Sequence, residues 1–391
     1  MYKNKLFITC IIVAIFSLFV PVYGKEFLYN VDSINTNAPV FNLQSESAIL
    51  LDSKTGTIMF EKNADEKLLP ASVTKIMTLL LTMEAIDTGK LSLEDYIVCS
   101  GNASNMGGSQ IYFKENEKLK VKDCLKAVAV VSANDVATAL AEHIGGSVEN
   151  FVSMMNNKAK ELGMKNTAFK NPHGLDEEGH YTTARDISIM SRELITKHPK
   201  IKEYTSIWMD TLRDGTFALT NTNKLIRFYE GATGLKTGST SKALFNLSAT
   251  ATRNDLELKA VVMKAPTSKI RQQEASQLLD YGFANYSNIA LAKEGEVIKN
   301  IRVIKGVKEN VDAVIKNNVD ILCKKGEEKS ITKNINLKEE INAPLKKGDV
   351  IGKVEYIKDK KVVKEANIIC SETIEKITVL DMYKKMLKRL F

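Results

Sequence analysis

One stretch limits the architecture more than any other. From Ile76 to Leu81 the chain reads Ile-Met-Thr-Leu-Leu-Leu, apolar nearly all round when wound as a helix. A helix with no polar face is buried rather than laid on a surface. Pro70 stands at its start, where a fixed φ and a missing N–H do no harm. The rest of the chain must therefore supply layers to enclose it. A hydrophobic fraction of 44 % and a charged fraction of 26 % over 391 residues permit such a core.

The patterning on either side predicts those layers. Residues 47–52 and 57–61 are short apolar runs around Ser53-Lys54-Thr55-Gly56, the signature of a β-hairpin. Helices are expected over residues 121–131 and 135–144, interrupted at Ser132-Ala133-Asn134, and amphipathic helices over 148–162 and 183–197. A loop rich in Asn, Pro, His and Gly occupies residues 166–180. From Gly231 the period changes to strands, with 243–252 and 256–264 flanking the turn Arg253-Asn254-Asp255, and residues 268–286 close with a helix. Strands, then helices, then strands and a helix give an α+β class, with helices packed on a mainly antiparallel sheet.

Both ends differ from this body. Lys3 and Lys5 precede an apolar run from Leu6 to Val20, and Val22 and Gly24 are small residues at cleavage spacing. That is the pattern of a secretory signal over residues 1–24; an uncleaved anchor is the alternative, and either places the body outside the cytoplasm. The main body is expected over residues 25–286. Residues 287–370 carry short alternating Val, Ile and Lys runs, the pattern of a small all-β domain. In residues 371–391, Ile377, Leu380, Tyr383, Leu387 and Leu390 share one helical side, with Lys376, Lys384, Lys385, Lys388 and Arg389 elsewhere. A basic amphipathic C-terminal helix of this kind is expected to lie on a membrane surface; a helix packed on its own domain is the other reading.

The net charge of +8 suits an acidic polymer or membrane nearby. The lysines are scattered and no nucleic-acid motif occurs, so no nucleic-acid partner is expected. Cys99, Cys124, Cys323 and Cys370 form no CxxC pair, and free or buried thiols are expected, with a Cys323–Cys370 bridge as the alternative. His143, His173, His180 and His198 show no metal-ligand spacing, so neither a metal nor any other cofactor is expected.

Three short motifs occur in order: Ser72-Val73-Thr74-Lys75, Ser132-Ala133-Asn134 and Lys236-Thr237-Gly238. Each is common by chance; their order and contexts are not. Serine needs an adjacent base to act as a nucleophile. Positions i and i+3 of a helix share a face, so Lys75 can reach the Ser72 hydroxyl. Burial and a neighbouring cation, here Lys236, would hold Lys75 deprotonated. Backbone N–H groups of Ser72 and Ser239 could hold an oxyanion. Ser132 could relay a proton between Lys75 and a leaving amine, and Asn134 could orient a substrate amide. Lys236 and Thr237 could bind a carboxylate, and Gly238 could let a substrate backbone approach the strand edge.

The motif set is that of penicillin-binding proteins and class A β-lactamases. Further stretches sharpen it: Ala48-Ile49-Leu50-Leu51-Asp52, Leu69-Pro70-Ala71-Ser72, Gly107-Gly108-Ser109, Asn171-Pro172-His173-Gly174-Leu175-Asp176 and Ala184-Arg185-Asp186. With Asn221-Thr222-Asn223, Gly234-Leu235-Lys236-Thr237-Gly238 and Leu278-Leu279-Asp280-Tyr281-Gly282-Phe283, the chain resembles the low-molecular-mass penicillin-binding proteins, the serine D-alanyl-D-alanine carboxypeptidases. The resemblance implies a β-lactamase/transpeptidase-like catalytic domain, an acyl-enzyme at Ser72 and release of terminal D-alanine from peptidoglycan stem peptides ending in D-Ala-D-Ala. It also implies β-lactams as covalent inhibitors, a C-terminal β domain and an amphipathic anchor. Leu244 precedes Phe245 where the family often has glycine, and Ser239 follows the third motif where bulkier residues also occur.

Other readings stand beside this one. A Ser-His-Asp triad through His173 lacks the G-x-S-x-G elbow. A class A-like β-lactamase would need a glutamate such as Glu177 or Glu178 to activate water. A D,D-transpeptidase would use an amine acceptor, and a silent wall-binding scaffold would have lost the motif set.

Overall fold

The computed structural model describes residues 41–383; the expected signal and residues 384–391 lie outside that range. The frame is a five-stranded antiparallel sheet. Its strands are β1 (Ser47–Asp52), β2 (Ile58–Lys62), β3 (Ala232–Thr240), β4 (Leu244–Arg253) and β5 (Leu256–Ala265), in the order β2-β1-β5-β4-β3. The two ends of the domain sequence meet here, because the N-terminal hairpin pairs with β5 through Ser47 to Asp52.

Both faces of the sheet are covered, as the period-2 alternation of its apolar residues requires. On β1, Ala48 and Leu50 join Leu258, Ala260 and Val262 of β5 beneath helix α6 (Ser268–Asn285). Ile49, Leu51, Val261 and Met263 face the other way, into a larger core built by helices. Those helices are α1 (Lys75–Asp87), α2 (Val121–Val130), α3 (Asn134–Gly145), α4 (Val148–Glu161) and α5 (Ala184–Lys197). At the centre is α1, where Ile76, Met77, Leu79 and Leu80 are fully buried, as its uninterrupted apolar sequence demands. Helices α4 and α5 begin on the side-chain caps Ser147 and Thr183, whose oxygens accept the N–H of Asn150 and Asp186.

A second β layer begins at Tyr286, immediately after α6. Its strands are β6 (Tyr286–Ala292), β7 (Val297–Ile304), β8 (Asn310–Ile315), β9 (Val319–Lys324), β10 (Thr332–Leu337), β11 (Glu340–Asn342), β12 (Val350–Lys358) and β13 (Lys361–Cys370). Six form one sheet in the order β10-β12-β13-β8-β7-β11, and β6 pairs with β9. The four described cysteines are free and buried, so Cys323 and Cys370 are not bridged; they lie in different sheets.

The tail departs from expectation. Helix begins only at residue 379, not at 371. Ile374 is fully buried and exchanges two backbone hydrogen bonds with Leu345, at 2.8 and 2.9 Å, while Ile377 N–H donates to Lys305 O. Ile374 completes a small core with Ile301, Val303, Val311 and Leu345. That burial holds residues 371–377 extended against the β sheet, and Ile377 does not lie on the helix. Thr378 and Asp381 then cap the helix start through reciprocal hydrogen bonds. Val379, Leu380, Met382 and Tyr383 are exposed there, Val379 by 84 %.

One core position is out of keeping with its surroundings. Lys259, at the centre of β5, is fully buried, and its Nζ has no hydrogen-bond partner among the described residues. Burial holds its amine well below the usual lysine range, with the charge of Glu257 opposing. An unsatisfied buried polar group costs about 1–3 kcal/mol. Lys259→Met, close in volume, should therefore raise the unfolding midpoint at pH 7 by a few degrees. Because the depressed folded pKa makes the unfolded chain bind more protons, wild-type stability rises with pH up to the unfolded lysine pKa near ~10.5, relative to the variant. Thermal melts of both proteins between pH 7 and 10 check this; a lower midpoint for the variant would sink it.

Candidate active site

The three motifs converge between the sheet and the helices. Ser72 sits in a 3-10 turn (Ala71–Thr74) that runs directly into α1. The turn is held tightly. Ala71 is left-handed at φ +48°, and Asn246 of β4 donates to the carbonyls of Leu69 and Pro70 at 2.8 and 3.0 Å. Two glycines make room for it. A Cβ on Gly174, itself at φ +90°, would lie 1.9 Å from Ala71 O. A Cβ on Gly238 would lie 2.8 Å from the backbone nitrogens of both Ser72 and Val73. Gly238 thus admits the serine turn to the strand, a packing demand separate from substrate approach.

Lys75 opens α1 one turn later and is 0 % exposed. Its Nζ has three neighbours: Asn134 Oδ1 at 2.6 Å, His173 O at 2.6 Å and Ser72 Oγ at 2.9 Å. The first two can only accept hydrogen bonds. The third can also donate. Burial first, and then the charge of Lys236, hold the amine well below its usual range, with Asp135 opposing. A neutral amine has two N–H groups for the two acceptors, and its lone pair is left for the serine hydroxyl. The arrangement can take a proton from Ser72.

Ser132 is buried at φ +64°, and its Oγ has no partner among the described residues. Its hydroxyl is therefore available to bond a substrate. Asn134 is committed on both sides of its amide, because Nδ2 donates to Gly107 O at 2.7 Å. The amide that was expected to orient substrate is, in this state, an anchor for Lys75.

On the sheet side, Lys236 is almost fully buried, with Nζ donating to Thr237 O at 3.0 Å. Burial and the nearby Arg271 bring its pKa down to about 7. Thr237 Oγ1 lies 2.7 Å from Thr222 Oγ1, and Ser239 is exposed at the strand edge.

Sequence reasoning missed three contributors. Arg271 of α6 donates to Gly238 O at 3.4 Å and Asn246 O at 3.2 Å, bracing the third motif from behind. Asn246 holds the serine turn. His173 contributes its carbonyl, which no residue-type pattern reveals; its ring Nδ1 accepts from Leu175 N–H at 3.2 Å, and burial lowers its pKa to about 3. A ring so depressed and so engaged does not fit a Ser-His-Asp triad. Glu177 and Glu178 are exposed, and Glu177 accepts from Asn171 Nδ2 at 3.0 Å.

Comparisons with known proteins identify the family of both domains. Residues 33–267 match the D-alanyl-D-alanine carboxypeptidase family, and residues 286–376 match the penicillin-binding protein 5 C-terminal domain. The second match includes Ile374, the residue that completes the small core. The D-alanyl-D-alanine carboxypeptidase DacF of Bacillus subtilis is 42 % identical over 346 residues, 88 % of this chain and 89 % of that one. Penicillin-binding protein 5 of Haemophilus influenzae superposes with a TM-score of 0.73 at 34 % identity, covering 86 % of this chain and 99 % of that chain. Penicillin-binding protein D2 of Listeria monocytogenes, in its ampicillin-bound form, gives 0.58 at 32 % identity, covering 63 % and 100 %. The chain belongs to the D-alanyl-D-alanine carboxypeptidase family of serine peptidases.

Proposed function

We propose that Ser72 is the nucleophile and Lys75 its general base in removing terminal D-alanine from peptidoglycan stem peptides. The observation that carries this is the buried Lys75 amine, with two obligate acceptors and the Ser72 hydroxyl around it. Ser72 Oγ gives its proton to Lys75 and attacks the carbonyl of the penultimate D-alanine. The N–H groups of Ser72 and Ser239 receive the oxyanion. The C–N bond breaks, and the departing amine takes the proton from Lys75 through Ser132. Water then attacks the acyl-enzyme and regenerates Ser72. Lys236 and Thr237 hold the terminal carboxylate of the substrate. A β-lactam would enter by the same attack and remain as a covalent adduct on Ser72. The exposed positions of Glu177 and Glu178 favour this reading over a class A-like β-lactamase.

The protein acts at the outer face of the cytoplasmic membrane or in the wall space. The apolar run behind Lys3 and Lys5 supports export, and the exposed apolar residues from Val379, followed by Lys384, Lys385, Lys388 and Arg389, support membrane attachment. Among the described residues no helix is long and apolar enough to cross a membrane.

Three outcomes are expected. Purified protein should release D-alanine from a peptide ending in D-Ala-D-Ala and gain the mass of benzylpenicillin, whereas Ser72→Ala should do neither; release by both proteins would remove Ser72 from the mechanism. The pH profile of kcat/KM should be bell-shaped. It rises with pH as Lys75 loses its proton, and it falls as Lys236, whose cation is needed, deprotonates at about 7. Lys236→Arg, whose guanidinium stays charged, should flatten the alkaline limb; an unmoved limb would assign it to another group. The full chain should sediment with anionic phospholipid vesicles, and a chain ending at Thr378 should stay in the supernatant.

A further inference from the structure

Tyr112 combines two properties that rarely coincide. It is 70 % exposed, and its backbone is left-handed at φ +55°. A bulky side chain in that region is a conformational outlier. Such strain persists only where surrounding structure imposes it. Glycine would meet the same turn at no steric cost.

The surrounding structure does impose it. The neighbours Ile111 and Phe113 are fully buried, and both of their N–H groups donate to one oxygen of buried Asp135, at 3.1 and 3.0 Å. Arg213 donates to Ile111 O at 2.9 Å and Tyr112 O at 3.2 Å, and is itself tied to Glu117. Two charged groups thus grip the backbone on either side of Tyr112. The ring and hydroxyl of Tyr112 make no aromatic or hydrogen-bond contact among the described residues.

The grip belongs to the active site. Asp135 follows Asn134, the residue bonded to Lys75. Asn134 N–H donates to Ser109 O, and its side chain to Gly107 O, both at 2.7 Å. Tyr112 lies three residues beyond Ser109, within about 10 Å along the chain. The loop that carries it is therefore fastened to the catalytic constellation through two consecutive residues of α3.

We infer that Tyr112 is a specificity-determining residue that packs against the stem peptide upstream of its terminal D-Ala-D-Ala. The inference rests on the carboxypeptidase reading above. On that reading the terminal carboxylate lies on the sheet side at Lys236 and Thr237 and the scissile carbonyl at Ser72, so the upstream residues would run toward the opposite wall, whose Asn134 fastens the loop of Tyr112. A ring held exposed on that loop would offer them an apolar face.

The test compares wild type with Tyr112→Gly, Tyr112→Asn and Tyr112→Phe on two substrates. One is N-acetyl-D-Ala-D-Ala, which has no upstream residues, and the other is a full pentapeptide stem. Glycine and asparagine both tolerate the left-handed backbone. Both variants should melt no lower than wild type and keep their rate on the short substrate. Their kcat/KM on the pentapeptide should fall about tenfold, mainly through KM, as expected for loss of one aromatic contact. Tyr112→Phe should behave as wild type. An equal fall on both substrates, or no fall on the pentapeptide, would overturn the inference. A wild type inactive on both substrates would overturn the carboxypeptidase reading and this inference with it.

Discussion

Lys75 is an ionisable side chain with no exposed surface, and most of the site follows from what that burial demands. Removing an ammonium from water is costly unless the group is paired or neutral. No carboxylate bonds it directly; its neighbours are an amide oxygen, a backbone carbonyl and a hydroxyl. That set satisfies a neutral amine and leaves its lone pair for the Ser72 hydroxyl. Three separated segments must arrive together to supply it: the serine turn, the start of α3 and the loop after residue 170. The loop is braced by Thr78, which donates to Pro172 O at 2.6 Å, and by Asn171, which accepts from Gly174 N–H at 2.7 Å. The glycines at 174 and 238 are then requirements of packing, since any side chain there would displace Ser72.

Lys236 shows how two cations are kept close without unfolding the site. It contributes to depressing Lys75, and Arg271 contributes to depressing Lys236 in turn. The guanidinium behind them stacks on Phe245, 5.6 Å from its ring centroid, and bonds two backbone carbonyls. On the proposed reading, a carboxylate bound at Lys236 would offset its charge and change the proton affinity of Lys75, linking substrate binding to base strength.

Much of this was legible in the chain, and the exceptions have physical causes. The all-round apolar pattern of Ile76 to Leu81 placed α1 at the centre, and the i, i+3 spacing placed Lys75 on Ser72. The hairpin turn at Arg253-Asn254-Asp255 placed β4 beside β5, because turn chemistry is local. What stayed hidden was non-local or carried by backbone. The carbonyl of His173 has no side-chain signature. Arg271 reaches Gly238 only because α6 packs beneath β4, which periodicity does not report. Residues 371–377 read as helix because their pattern continues into a genuine one, yet tertiary burial of Ile374 overrode it.

Lys259 separates the effect of burial from that of the geometry around Lys75. It is as buried as Lys75, and its amine is likewise held well below the usual range. It has no hydrogen-bond partner among the described residues, and it stands in mid-sheet between Leu51 of β1 and Thr250 of β4. Desolvation shifts both lysines in the same direction. Only Lys75 has acceptors that fix where its N–H groups point, and so only Lys75 has a lone pair with a defined direction. The difference lies in Asn134 and His173 rather than in the lysine. The chemistry of the site is therefore a property of how the second motif and the loop after residue 170 are packed against α1, more than of the Ser-x-x-Lys sequence itself.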